Sequence, residues 1–221
     1  MFRLLCSARK SLKYEVNVTS LLNYSHSPGT GKTVTIVEAI RQILIANPDA
    51  KILACAPSNS AADLIALRLA HNPLSTNELF RLNSYARPYK SLAEGASTLT
   101  DFSLYNDNEV FAIPPLEKLQ TYRVIVATCI SAGIPHGIGI ERGHFSHIFL
   151  DEAGQATEPM SMVTMKALVD TSTNVVLAGD SRQLNPIVHS PIARDLGLKR
   201  SYLQRLMDLP IYDEETGKGK T

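Results

Sequence analysis

The sequence predicts an α/β fold in which helices cover both faces of a doubly wound, mostly parallel sheet. Short apolar runs, typical of strands buried on both faces, occur at residues 51–56, 123–128, 147–151 and 173–178. Segments with apolar residues at helical spacing occur at 32–46, 60–70 and 158–169. Strands that alternate with helices favour a parallel sheet, whose ligands bind beyond the carboxyl ends of its strands.

Composition sets broad limits on function. The 221 residues are 44% hydrophobic and 19% charged, as in an ordinary soluble globular protein. A net charge of +1 neither indicates nor excludes nucleic acid, because a basic groove can exist in a neutral chain. The three cysteines lack C-x-x-C spacing, which argues against disulfides and zinc and favours a reducing, cytoplasmic compartment. No apolar run reaches the ~18 residues that span a bilayer, so we expect no membrane partner.

Residues 26–33, with the sequence HSPGTGKT, predict a phosphate-binding loop. Gly29 and Gly31 allow a tight curl in which successive N–H groups point at an anion. A helix beginning at about Lys32 adds its free N–H groups and the positive end of its dipole. Lys32 would reach the β- and γ-phosphates of a nucleotide, and the Thr33 hydroxyl would ligate Mg²⁺.

Two features of this loop depart from the usual pattern. The motif G-x-x-x-x-G-K-[ST] begins here with His26 in place of glycine. The preceding residues 21–25 are a poor candidate for the buried strand that normally leads into such a loop. Alternation of Tyr14, Val16 and Val18 with polar residues is compatible with a half-buried strand instead.

Polar residues follow two other predicted strands. Asp151 ends the strand at 147–151, and Glu152 follows it. Asp151 would hold Mg²⁺, and Glu152 would orient or deprotonate an attacking water. The strand at 173–178 is followed by Asp180 and Gln183, and the Gln183 amide could bond a γ-phosphate or the lytic water. Simple helix capping is the alternative interpretation at both places.

Two further strand ends suit a nucleic-acid backbone. Ser58 and Asn59 follow the strand at 51–56 at a predicted helix N-terminus, where hydroxyl, amide and N–H groups suit a phosphate oxyanion. Capping is again the alternative, and Ser60-x-x-Asp63 resembles a capping box. Thr128 ends the strand at 123–128 and begins a further candidate stretch at 128–133.

Residues 73–120 have no sustained periodicity and predict an excursion from the sheet with little regular structure, apart from a brief strand at 79–82. Basic and aromatic residues are interleaved here: Arg81, Tyr85, Arg87, Tyr89 and Lys90. They could form a stacking and phosphate-binding surface for single strands, or a solvated loop.

Four motifs, taken together and in order, resemble motifs I, Ia, II and III of the superfamily 1 helicases. They are PGTGKT (28–33), CAPSNSAAD (55–63), DEAGQ (151–155) and GDSRQLNPI (179–187). The branch resembles the nonsense-mediated-decay helicases and, more closely, the Armitage and Mov-ten-like RNA-silencing helicases. The stretches at 123–133 and 193–207 point to that closer branch.

This resemblance implies an ATP-dependent RNA helicase of 5′-to-3′ polarity with two RecA-like domains, using ATP and Mg²⁺. Its partners would be single-stranded RNA or a duplex with an overhang, and RNA-silencing or mRNA-decay proteins. DNA is the alternative substrate, because phosphate contacts do not distinguish it from RNA.

The resemblance also assigns roles to individual residues. Catalysis falls to Glu152, Lys32 and Gln183. The nucleotide would be bound by Pro28, Gly29, Thr30, Gly31, Lys32, Thr33 and Gln183. Mg²⁺ would be held by Thr33 and Asp151, and the nucleic-acid backbone would be contacted by Ser58, Asn59 and Thr128.

The predicted organisation is an atypical segment at 1–27, a RecA-like domain at 28–212 with an insertion or accessory subdomain at 73–120, and a tail at 213–221. Residues 1–27 contain no glutamine, so the adenine-reading segment of such helicases is not visible. The family's second RecA-like domain, with its arginine fingers, is not found after motif III. We therefore expect slow ATP hydrolysis from this chain, and a non-catalytic remnant that binds RNA or partners is the alternative.

Overall fold

Seven strands form one sheet in the part of the chain that the structure describes. This computed structural model describes residues 31–71, 74–180 and 185–209, together with the backbone of two strands at 4–6 and 18–23. The strands are β1 (Leu4–Cys6), β2 (Val18–Asn23), β3 (Ile52–Ala56), β4 (Leu79–Leu82), β5 (Val124–Thr128), β6 (His147–Leu150) and β7 (Asn174–Gly179). Their order across the sheet is β1-β2-β7-β6-β3-β5-β4.

Eight α-helices are described in the same residues. They are α1 (Lys32–Ala46), α2 (Asn59–Ala70), α3 (Tyr89–Gly95), α4 (Leu116–Thr121), α5 (Ile134–Gly137), α6 (Glu158–Lys166), α7 (Pro191–Asp195) and α8 (Tyr202–Met207). Short 3-10 turns cover Ser97–Thr100 and Ser131–Gly133. Within the described residues, no helix combines the length and the apolar character that crossing a bilayer requires.

The predicted fold class is confirmed. The four apolar runs form β3, β5, β6 and β7, which pair in parallel with one another or with a neighbour. Only the pairing of β1 with β2 is antiparallel among the described strands. Parallel strands end at one edge of the sheet, so the polar residues that follow them are brought to that edge.

Strand β3 shows why both faces of the sheet are covered. Leu53 and Cys55 belong to one apolar cluster, and Ile52, Ala54 and Ala56 belong to another. Successive side chains of a strand point to opposite faces. The first cluster is completed by α6 and α8 and the second by α1 and α2, so β3 is buried completely.

The strand before the phosphate loop corrects one expectation. Residues 21–25 made a poor candidate for a buried strand, but β2 occupies Val18–Asn23 and pairs in parallel with β7, with Leu21 opposite Leu177. Pairing with β7 therefore determines that these residues form a strand, since their own sequence pattern is weak. Tyr14 and Val16 lie outside the described residues.

The stretch 73–120 is more regular than its sequence predicts. β4 pairs in parallel with β5, with Leu79 opposite Val124, and therefore belongs to the main sheet. Two short helices, α3 and α4, follow, and Tyr105 and Phe111 form an isolated antiparallel bridge. The domain boundaries at 1–27, 28–212, 73–120 and 213–221 stay predictions.

Candidate nucleotide site and nucleic-acid interface

Helix α1 begins where the phosphate-loop motif predicts. Gly31 is its N-cap, with a φ of 82° in the left-handed region that favours glycine. The Thr35 N–H donates to the Gly31 carbonyl at 2.9 Å, and Lys32 is buried, with 8% of its surface exposed. Pro28, Gly29 and Thr30 lie outside the described residues, as do His26 and Ser27.

The two predicted Mg²⁺ ligands contact each other. The Thr33 hydroxyl donates to Asp151 Oδ2 at 2.7 Å, across 118 positions of sequence. Asp151 directly follows β6 and is 1% exposed, and its other oxygen accepts the Glu152 backbone N–H at 2.9 Å. The start of α1 and the end of β6 therefore converge on one carboxylate.

This carboxylate lies in an environment suited to a cation. Burial raises the pKa of the Asp151 carboxyl above its ordinary value, and the hydrogen bonds from Thr33 and the Glu152 amide offset only part of this effect. The described residues contain no group of three or more His, Cys, Asp or Glu side chains that could hold a metal. One Thr and one Asp, with water completing the shell, match the few protein ligands that Mg²⁺ takes.

Glu152 is held in an uncommon conformation. Its φ is 51°, in the left-handed region, where few residues other than glycine, asparagine and aspartate are found. Its half-buried carboxylate accepts a hydrogen bond from Gln155 Nε2 at 3.0 Å, and its carbonyl accepts the Gln155 N–H at 2.8 Å. Two hydrogen bonds from Gln155 therefore hold the side chain and the backbone of Glu152, the predicted catalytic base.

The loop that carries Glu152 packs directly against the end of β7. The Ala153 N–H donates to the Ala178 carbonyl at 2.8 Å. A Cβ on Gly154 would lie 2.6 Å from the Asp180 carbonyl oxygen, so only glycine permits this approach. Motifs II and III are therefore fixed to each other through their backbones. Gln183, the predicted γ-phosphate sensor, lies outside the described residues.

The predicted nucleic-acid contacts share one edge of the sheet. Ala56 of β3 lies opposite Thr128 of β5, and Ser58 and Asn59 are exposed just after β3. Asp151 is at the same edge, since its N–H donates to the Cys55 carbonyl at 2.8 Å. The structure brings the candidate backbone contacts and the candidate Mg²⁺ site to one edge.

Thr128 and Ser58 also have structural partners. The Thr128 hydroxyl donates to Ser131 Oγ at 3.0 Å and accepts the Ser131 N–H at 3.2 Å, so it stabilises the turn after β5. Ser58 Oγ accepts the Ala61 N–H at 3.2 Å and is the N-cap of α2. The predicted capping box at Ser60 and Asp63 is wrong, because Ser58 is the N-cap and Ser60 lies inside α2, and because the Asp63 carboxylate binds two arginines.

Asp63 forms a buried ionic cluster with two arginines. Arg81 Nε donates to Asp63 Oδ1 at 2.8 Å, and Arg87 donates to both carboxylate oxygens at 2.9 and 2.6 Å. Arg81 is fully buried and Arg87 is 8% exposed. The interpretation of these arginines as part of an exposed phosphate-binding surface is therefore wrong; Tyr85 and Lys90 are exposed.

This cluster is the feature that sequence reasoning missed. Asp63 falls among the buried positions of α2, which include Ala62, Ile65 and Ala66. Arg81 stands in the middle of a four-residue strand of which every residue is buried. The sequence does contain a signal of this pairing, since Asp63 and Arg81 each stand among apolar residues of a predicted element. Buried charges are nearly always paired.

Comparison with known proteins places the chain in a family. The family described as the AAA domain matches residues 15–104 and 113–191, and the chain belongs to it. Human RNA helicase Mov10l1 is 42% identical over 189 residues, which cover 85% of this chain and 15% of that protein. The probable RNA helicase armi of Drosophila melanogaster is 34% identical over 202 residues, covering 85% and 17%.

These matches confirm the resemblance to Mov-ten-like and Armitage superfamily 1 helicases. Putative helicase MOV-10 of Gallus gallus is 42% identical over 189 residues, which cover 81% of this chain and 19% of that protein. The chain thus spans less than a fifth of the length of these relatives.

A solved arterivirus nonstructural protein 10 helicase with DNA matches at a TM-score of 0.43 and 13% identity, covering 78% of this chain and 32% of that one.

Proposed function

We propose that this chain is the ATP-binding first RecA-like domain of an ATP-dependent RNA helicase with 5′-to-3′ polarity. The hydrogen bond between Thr33 and Asp151 is the observation that carries the proposal. It joins the first turn of the helix after the phosphate loop to the carboxylate at the end of β6. This contact supports the assignment of Thr33 and Asp151 as the two protein oxygen ligands of a nucleotide-bound Mg²⁺.

Each residue at the site has a task in this proposal. ATP with Mg²⁺ would supply the transferable phosphoryl group and charge neutralisation. Thr33 and Asp151 would hold the metal, and Lys32, with the loop residues Pro28, Gly29 and Thr30, would bind the phosphates. Glu152 would orient and deprotonate the attacking water, and Gln183 would sense the γ-phosphate.

The substrate in this proposal is RNA, either single-stranded or a duplex with an overhang. Support comes from the names of the relatives, which include RNA helicase Mov10l1 and a probable RNA helicase. Ser58, Asn59 and Thr128 would contact the phosphates at the ends of β3 and β5. RNA-silencing or mRNA-decay proteins in the cytoplasm are the proposed partners. The buried free thiols of Cys55 and Cys129 are compatible with that reducing compartment.

Titration of the 221-residue chain with a fluorescent ATP analogue tests the nucleotide site. We expect micromolar binding that requires Mg²⁺. Lys32→Ala should abolish it, because the phosphates lose their cation, and Asp151→Asn should remove the Mg²⁺ dependence. Lys166→Ala, at an exposed lysine of α6, is the matched control and should bind like the wild type. Absence of binding at millimolar ATP would instead support a non-catalytic remnant.

Fluorescence anisotropy with oligouridine and oligodeoxyuridine tests the substrate class, because the two oligomers differ only in the 2′-OH. We expect the RNA to bind more tightly, since a contact to the 2′-OH is what distinguishes RNA from DNA. The logarithm of its association constant should fall linearly with the logarithm of the salt concentration, with a slope of about −0.7 per phosphate contacted. Equal or tighter binding of the DNA would contradict RNA as the substrate.

A further inference from the structure

We propose that Arg81 is a positioning residue for the RNA contact made by Asn59. The buried guanidinium of Arg81 holds the side-chain oxygen of Asn59 inward, so that the amide NH₂ group is presented to a phosphate at the surface. This inference rests on the proposed function, because it concerns how the RNA-binding edge is prepared.

The Arg81 guanidinium is fixed in place by the protein around it. Nε donates to Asp63 Oδ1 at 2.8 Å, and Nη1 donates to the Leu82 carbonyl at 2.7 Å. The remaining nitrogen, Nη2, donates to Asn59 Oδ1 at 3.2 Å. A planar guanidinium bound at two nitrogens cannot rotate, so the direction of its third donor is set.

The charge balance of the cluster strengthens this arrangement. Two guanidinium groups, of Arg81 and Arg87, share the single carboxylate of Asp63, which leaves one positive charge in excess. Burial lowers the pKa of Arg81 to about 10, and Asp63 offsets part of this, so the guanidinium is charged at neutral pH. The negative end of the Asn59 amide dipole is therefore drawn toward Arg81, since opposite charges attract strongly in a buried site.

The consequence concerns the exposed side of Asn59. An asparagine amide has one oxygen that accepts and one NH₂ group that donates, and a free side chain can present either. Phosphate oxygens only accept hydrogen bonds, so an outward amide oxygen would repel them. With its oxygen bonded to Arg81, exposed Asn59 offers only donors at the first residue of α2, where the helix dipole also favours an anion.

A double-mutant cycle on the 221-residue chain tests this role. Affinity for a fluorescein-labelled oligouridine is measured for Asn59→Ala, Arg81→Lys and the double variant. Asn59→Ala should weaken binding by roughly tenfold, the effect of losing a hydrogen bond to a charged group. Arg81→Lys should weaken it in the wild-type background and have no further effect beside Asn59→Ala. Additive losses would overturn the proposal, because a general structural defect lowers affinity in both backgrounds.

Asn59→Asp provides a second test that leaves the buried arginine unchanged. Its carboxylate can still accept from Arg81, so urea denaturation should show stability at least equal to that of the wild type. The outward donor is lost, so oligouridine affinity should fall by roughly tenfold or more. Arg68→Lys, at the other end of α2, is the control and should bind normally.

The outcomes separate the two proposals. If the wild-type chain binds oligouridine but Asn59→Asp binds equally well, the Arg81 proposal is wrong and the RNA function stands. If the wild-type chain binds no oligouridine at low salt, both proposals fail together.

Discussion

Replacement of Asp63 by asparagine tests whether the buried cluster stabilises the fold. Asp63→Asn preserves the shape of the side chain and removes its charge. The new NH₂ group must face a guanidinium in either orientation, because Arg87 donates to both carboxylate oxygens, at 2.9 and 2.6 Å. Arg81 and Arg87 then become buried cations without a counter-ion.

The expected loss follows from the burial of the three side chains. Arg81, Arg87 and Asp63 expose 0%, 5% and 11% of their side-chain surfaces. Removal of one partner from a buried ion pair typically costs about 3–5 kcal/mol, because the remaining charge is desolvated without compensation. For a chain of this size that loss lowers the melting temperature by roughly 6–20 °C.

Urea denaturation at neutral pH measures this loss directly. The midpoint should fall in Asp63→Asn with little change in the slope of free energy against urea. Glu38→Gln is the control, since it breaks an ion pair with Arg41 in which both side chains are substantially exposed, and should change stability by less than about 1 kcal/mol. If Asp63→Asn also costs less than about 1 kcal/mol, the cluster does not stabilise the fold as argued.

Three further outcomes are expected. Gly154→Ala should destabilise the fold by about 1–3 kcal/mol, because its Cβ would press on the Asp180 carbonyl. Gly137→Ala is the control and should not destabilise it, because a Cβ there meets nothing within 4 Å. Thermal melts that show equal effects of the two substitutions would contradict this. Ser58→Ala should cost about 1 kcal/mol in urea denaturation through the lost cap of α2, and an unchanged midpoint would show that the cap is dispensable. Burial alone would raise the pKa of Asp63, but the arginines hold it below its ordinary value. Its stabilisation should therefore be present above the unfolded pKa of about 3.9 and be lost as pH falls through the lower folded value; equal acid sensitivity in wild type and Asp63→Asn would refute this.

The parts of the fold that were predictable are those in which burial dictates the pattern. Strand β3 is covered on both faces, so every residue from Ile52 to Ala56 must be apolar, and the run is visible in sequence. Strand β2 could not be predicted in the same way. Its sequence VTSLLN mixes polar and apolar residues, and its place is set by pairing with β7, more than 150 positions away.

The candidate site likewise contains some contacts that could be predicted from the sequence and others that could not. The contact between Thr33 and Asp151 was predictable, because their motifs place one at the start of a helix and the other at the end of a strand. A parallel sheet brings such ends to the same edge. The partners of Arg81 were not, since they depend on contacts to Asp63 and Asn59 across 18 and 22 positions. The interleaving of Arg81 with tyrosines suggested an exposed surface, whereas α2 packs against β4 and the Arg81 side chain is fully buried beside Asp63.

The conformation of Glu152 links the fold to the proposed chemistry. A left-handed backbone costs a residue of this kind roughly 1–2 kcal/mol, so neighbouring contacts must hold it. The Glu152 N–H is bonded to Asp151, and the next N–H, of Ala153, is bonded to β7. These bonds fix the backbone on both sides of the proposed base while its carboxylate stays partly accessible. The close approach of Gly154 to β7 is therefore part of the proposed catalytic arrangement, because it holds the residue that would act on water next to the carboxylate that would hold Mg²⁺.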